Sequence, residues 1–152
     1  MDYTVERLRE LDEADVERLK VESEREGYRF VSRLVREYGD GSNRFDGPGE
    51  ALFCVLNPEG HVLGIGGLNR SPYDPSGQAA RLRRFYVLSD ARRHGVGSSL
   101  LKAITDHAAD HFEVITVRTE SSKADAFYRA NGFVCDDSES ENTHIYHLKK
   151  EA

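Results

Sequence analysis

Polar and apolar side chains alternate from Tyr3 to Leu8, which predicts an opening strand. Asp12 is placed as an N-cap for the helical run behind it, whose apolar positions include Val16, Leu19 and Val21. Phe30, Val31, Leu34 and Val35 share one face of a second helix that stops before Gly39. The runs Ala51 to Leu56 and His61 to Leu68 flank Asn57-Pro58-Glu59-Gly60 and predict a hairpin with a four-residue turn. Leu82 to Leu88 reads as another strand. From Gly95 to His111, Val96, Leu100, Leu101, Ile104 and Ala108 mark one face of a helix. Val114 to Val117 is a short apolar strand, and Ala124 to Ala130 a short helix stopped by Asn131-Gly132. Phe133 to Cys135 and His144 to Leu148 read as the last two strands. Gly39 to Gly49 and Ser71 to Gln78 are rich in Gly, Pro, Ser, Asn and Asp, and predict loops long enough to reach a ligand.

The resulting order, β, α, α, β, β, β, α, β, α, β, β, predicts an α/β chain built on a mixed sheet with helices on both faces. With no repeat or linker in 152 residues, the expectation is a single domain over 1–152. Composition acts mainly by exclusion. Hydrophobic residues make up 38% and charged residues 32%, too apolar for disorder and too charged for a membrane protein. The net charge of −6 argues against a general basic field for nucleic acid. No run approaches the length of a membrane span, and no basic region followed by an apolar run opens the chain. The expectation is a cytoplasmic protein with no membrane and no nucleic-acid partner. Cys54 and Cys135 both lie in apolar segments and are expected to be buried free thiols in a reducing compartment.

The most informative stretch runs from Leu82 to Leu100, where a strand leads through a short turn into a helix. Arg92, Arg93 and His94 stand at the start of that helix, with Gly95 and Gly97 among its first residues. Positive charge there opposes the helix dipole, and becomes favourable once an anion occupies the helix N-terminus. Glycines without Cβ atoms let such an anion approach the backbone. A di- or polyphosphate ligand follows from this reasoning. A Walker A loop is excluded, because Ser98-Ser99 stands where Lys and Ser/Thr are needed. Gly64-Ile65-Gly66-Gly67-Leu68-Asn69 lacks the third glycine of a dinucleotide fingerprint and reads as a strand with small residues where something packs closely.

Arg92-Arg93-His94-Gly95-Val96-Gly97 resembles the Gln/Arg-x-x-Gly-x-Gly/Ala signature of the GNAT acetyltransferases. Phe85-Tyr86-Val87 is similar to the fourth strand of that family. Ala124 to Phe133, with Tyr128 followed by Gly132-Phe133, is similar to its second conserved block. Together the two motifs cover about residues 80 to 135. The resemblance implies a GNAT-like acyl-CoA N-acyltransferase fold: a central, mostly antiparallel sheet with a splay between strands 4 and 5, and helices on both faces. It implies acetyl-CoA as cosubstrate, no metal, and a primary amine as acceptor. Phe85, Tyr86 and Val87 would hold the pantetheine arm, with the Val87 N–H near the acetyl carbonyl. The backbone of Arg92, Arg93, His94, Gly95, Val96, Gly97 and Ser98 would hold the pyrophosphate, and Ser121 would hydrogen-bond CoA. Tyr128 would be the catalytic acid that protonates the leaving thiolate. A homodimer through the last strands is one arrangement found in the family.

The chain departs from the family pattern at two places. Arg81 stands where many members carry an acidic base, and it cannot accept a proton. Ser121 stands where many carry Asn. Glu120, His144 or a water-mediated route remain as ways of deprotonating the amine. Arg81 and Arg83 are expected on one face of their strand and Arg84 on the other, and either of the first two could pair with an acceptor carboxylate or with nearby acids. His107 and His111 lie four apart on a helix and are read as solvent-facing rather than metal-binding. The acceptor reads as a small molecule, with a protein N-terminus or lysine as an alternative. A non-catalytic acyl-CoA sensor on the same fold is a further alternative.

Overall fold

A computed structural model describes residues 1–136 and 142–148. Its seven strands are β1 (Thr4–Arg7), β2 (Ala51–Leu56), β3 (Val62–Arg70), β4 (Ala79–Val87), β5 (Val114–Val117), β6 (Val134–Cys135) and β7 (His144–His147). They form one sheet in the order β1-β2-β3-β4-β5-β7-β6. Every neighbouring pair is antiparallel except β4 and β5, which run parallel. The helices are α1 (Glu17–Arg25), α2 (Phe30–Asp40), α3 (Val96–Ala109) and α4 (Ser122–Ala130), with short 3-10 turns at Glu13–Val16 and Ser89–Ala91. The expected order of elements is therefore present among the described residues.

Local chemistry explains several boundaries. Asp12 does cap, accepting from the Ala14 N–H at 3.0 Å, but what it starts is the 3-10 turn that precedes α1. In the β2–β3 hairpin, Asn57 Oδ1 accepts from the N–H groups of Glu59 and His61 at 3.1 and 2.8 Å, while Gly60 takes a φ of 82°. Strand β4 begins at Ala79, earlier than the apolar run that opens at Leu82. The Asp74 carboxylate accepts from the N–H groups of Ser76, Gln78 and Ala79, which closes the loop and sets the strand going.

The core lies on both faces of the sheet. On one face α3 buries the expected stripe of Val96, Leu100, Leu101, Ile104 and Ala108. It comes close because β3 has glycines beneath it: a Cβ on Gly66 would stand 2.8 Å from the Phe85 ring and 3.0 Å from Ile104. On the other face Val16, Leu19, Val31 and Leu34 are fully buried, and Phe45 rests directly on Gly67. The small-residue reading of Gly64 to Gly67 holds.

Three local expectations need correction. Val21 is exposed, because burial on this segment follows Val16, Leu19 and Ser23, and Val21 falls on the opposite side of the helix. Cys135 is exposed, because β6 is an edge strand of two residues with β7 as its single neighbour among the described residues. His107 packs rather than facing solvent: its Nε2 meets the Gly49 carbonyl at 3.0 Å and its ring lies 5.7 Å from that of Phe53.

Candidate functional site

Strand β4 pairs with β5 only from Ala79 to Arg81, opposite Val114 to Thr116. Beyond that point the two strands part, and Leu82 to Val87 present an edge unpaired on the β5 side among the described residues. A bulge sits in the same stretch. Ile65 pairs with Tyr86 and Gly67 with Arg83, so Arg84 and Phe85 together oppose Gly66, and Arg84 takes a φ of 58°. The bulge breaks simple alternation. Arg83 shares the face of its partner Gly67, under Phe45, and Arg84 reaches Glu37 of α2 instead of pointing to the other face. Phe85 then turns towards α3 and α4, while Tyr86 turns towards α1.

The start of α3 stands at the end of β4. Gly95 caps it in the left-handed region at φ 79°, with no side-chain cap. The first helical bond runs from the Ser99 N–H to the Gly95 carbonyl at 3.0 Å. The N–H groups of Val96, Gly97 and Ser98 find no acceptor among the described residues, as a helix start requires. No acidic residue lies in that first turn. Ser99 is occupied by Tyr3, hydroxyl to hydroxyl at 2.8 Å, whereas Ser98 is exposed. Such a turn suits a phosphate group.

The basic side chains there are not equivalent. Arg92 turns away from the helix start: its guanidinium donates to both Glu26 oxygens at 2.8 and 3.1 Å and to the Val87 carbonyl at 3.0 Å, and lies over the Tyr86 ring. The paired Glu26 carboxyl is held below the usual carboxylate range, first by its hydrogen bond from Arg92. Arg93 and His94 are exposed beside the turn. Gly97 also has a packing reason for lacking a side chain, since a Cβ would lie 3.1 Å from the Phe127 ring.

Tyr128 of α4 is 6% exposed, in an aromatic cluster with Phe85, Phe127, Phe133 and His144, whose ring centroids lie 5.3 to 6.3 Å from its own. Burial pushes its phenol well above the usual range, so it stays protonated across ordinary pH. Its hydroxyl has no hydrogen-bond partner among the described residues. Ser121 caps α4, its Oγ accepting from the Ala124 N–H at 3.2 Å.

The possible bases fare differently. His144 is buried with both ring nitrogens engaged, one with Thr143 Oγ1 and the other with Asp125 Oδ1, each at 2.7 Å. The Glu120 side chain is 83% exposed just past the end of β5. Sequence reasoning missed one grouping. Asp125, Cys135 and His144 bring three potential metal-donor atoms within 4.8 Å of one another, from α4, β6 and β7. Structural zinc takes four such donors, and the shortest contact here is an Asp–His hydrogen bond tying α4 to β7. Spacing along the chain gives no hint of this grouping.

A family model described as an acetyltransferase (GNAT) domain matches residues 49–135. Aminoglycoside N(6')-acetyltransferase type 1 of Klebsiella aerogenes is 41% identical over 56 residues, which is 35% of this chain and 37% of that protein. The alignment thus spans little more than a third of that relative. A candidate acetyltransferase from Exiguobacterium sp. 255-15 has a solved structure that superposes with a TM-score of 0.84 at 31% identity, covering 97% of this chain and 94% of that one. The toxin AtaT, solved with its antitoxin's C-terminus and acetyl-CoA, superposes with a TM-score of 0.66 at 19% identity, covering 97% and 94%. At that identity the likeness is one of fold.

Proposed function

The chain belongs to the GNAT acetyltransferases, and from that premise we propose that it moves an acetyl group from acetyl-CoA to a primary amine of a small molecule. One observation carries this reading: the parted edge of β4 runs towards the unpaired N–H groups that open α3, and its Phe85 ring lies 6.3 Å from that of Tyr128. These features fit a long thioester with phosphate at one end and a reacting carbonyl at the other. Acetyl-CoA supplies an activated acyl group that an amine attacks directly, with release of the CoA thiol.

The chain's residues divide the work. The backbone of Phe85, Tyr86 and Val87 holds the pantetheine arm as an added strand would be held. An N–H at Val87 aimed at the carbonyl stabilises the developing oxyanion. The α3 start, from Arg92 to Ser98, holds the pyrophosphate through backbone N–H groups, with Arg93 and His94 adding charge. Here Arg92 contributes its backbone, since its side chain is committed to Glu26. The Ser121 hydroxyl keeps its proton free to donate to CoA while it caps α4. Tyr128 donates its proton to the sulfur as it leaves, and the proton that the amine gives up returns to the phenolate, so the net product near pH 7 is the CoA thiol and a protonated Tyr128. His144 has no free nitrogen for this chemistry, which leaves Glu120 or water to carry off the amine proton.

The test is turnover of acetyl-CoA with a panel of small amines, followed by thiol release and product mass. Tyr128→Phe is expected to lower kcat by roughly 100-fold or more. Acetyl-CoA binding and the thermal midpoint should hold, because the hydroxyl bonds nothing among the described residues. Unchanged turnover would remove Tyr128 from the mechanism. The aminoglycoside relative supports a small-molecule amine as acceptor class.

A further inference from the structure

Three arginines, Arg81, Arg83 and Arg84, lie on β4 at the point where it leaves β5. One nearby acid is committed to them. Glu37 meets the Arg84 guanidinium at 2.7 Å, and the Arg84 side chain is 8% exposed with its Nε buried and unpartnered. Arg81 lies over the Tyr73 ring at 5.3 Å. Arg83 is half-buried and has neither a hydrogen bond nor an ion pair among the described residues. Its guanidinium is held below its ordinary range by burial first, and then by Arg84 and Arg81, with Glu37 and Tyr73 opposing the shift. The acids of α1 that face this side are already taken: Glu22 accepts from Tyr86 and Ser89, and Glu26 from Tyr86 and Arg92.

A half-buried guanidinium that no acid contacts directly is free to take an anion. Arg83 shares its face with Gly67 and Phe45, the α1 and α2 side of the sheet, while Phe85 and Tyr128 occupy the opposite side of the same parting. An acceptor entering from the α1 and α2 side meets these arginines on its way to the acyl group. We propose that Arg83, backed by Arg81 and Arg84, is a carboxylate-binding site, and that the acceptor is a primary amine bearing a carboxylate. The planar fork of an arginine suits two carboxylate oxygens at once, and its fixed geometry would orient the amine. A compound with many ammonium groups would be repelled by the same residues. This inference rests on the acetyl-transfer reading for its turnover consequences, but not for its binding consequence.

The experiment has two arms. In the first, kcat/KM is compared between amines that differ by one carboxylate, such as 4-aminobutyrate against butylamine and glutamate against its amides, with a polyamine alongside. The carboxylate-bearing partner should be favoured on the order of 30-fold, as a charge-assisted pair implies. Arg83→Gln should collapse that ratio towards one through KM, and Arg83→Lys should restore part of it. In the second arm, glutarate, which has two carboxylates and no amine, is titrated into the full chain by calorimetry. It should bind wild type and be lost in Arg83→Gln, with acetyl-CoA binding as the check on folding. Equal use of the neutral amine, a preference that survives Arg83→Gln, or no glutarate binding overturns the site. If no amine is acetylated at all, the transfer reading fails, and the glutarate titration still decides the carboxylate site.

Discussion

Arg92, Arg93 and His94 stand together in sequence but differ in electrostatic role. Arg92 is committed to Glu26, sixty-six residues away along the chain, and to the nearby Tyr86 ring. That commitment is invisible to a reading of local spacing, which places all three residues at an anion site. The two cysteines diverge in the same way. Cys54 sits at 2% exposure between β1 and β3, and its thiol is pushed up to about 11, first by burial and then by Glu6 and Asp15. Cys135 stands open on β6. A maleimide at mild alkaline pH should therefore label one thiol in the native protein and two in urea, with the native adduct mapping to Cys135. Rapid native labelling of Cys54 would contradict its placement. Apolar neighbours in sequence describe Cys54 well and mislead for Cys135, because an edge strand of two residues buries little.

At the scale of elements, periodicity was informative where one face is buried against a single partner. The α3 stripe and the β2–β3 hairpin are of this kind, and each appears with the expected apolar positions buried. The bulge in β4 left no such trace. A left-handed φ at Arg84 carries no sequence signal, yet it re-aims Phe85 towards Tyr128 and Arg84 towards Glu37. The glycine opposite the bulge is the sequence's partial record of it. Gly66→Ala should push a methyl group against Phe85 and Ile104, at a cost of about 1–3 kcal/mol in urea unfolding. The same change should lower turnover, since Phe85 also packs against Phe127 and Tyr128. An unaltered unfolding midpoint would mean that the ring and Ile104 yield freely and that the close packing of β3 under α3 is not required.

Over the whole molecule, the sheet is continuous from β1 to β6 yet opens between β4 and β5, and the chain places its distinctive chemistry at that opening. The family motifs point to the cofactor half of the proposed site, because a helix start with glycines and basic residues suits an anion. The proposed acceptor half is legible in the sequence only as a cluster of arginines; their partners, and the lack of a direct one for Arg83 among the described residues, needed the fold. The central claim is that acetyl-CoA is held at the start of α3, and one calorimetric titration addresses it. Wild type should bind acetyl-CoA. Ser98→Glu places a carboxylate on an exposed residue in the first turn of α3, where it favours the helix dipole by about 0.3–1 kcal/mol but opposes a pyrophosphate. The account predicts an equal or higher thermal midpoint together with a loss of acetyl-CoA affinity of roughly tenfold or more, the factor that 1.4 kcal/mol of repulsion gives. No binding by wild type, or undiminished binding by Ser98→Glu, would contradict it.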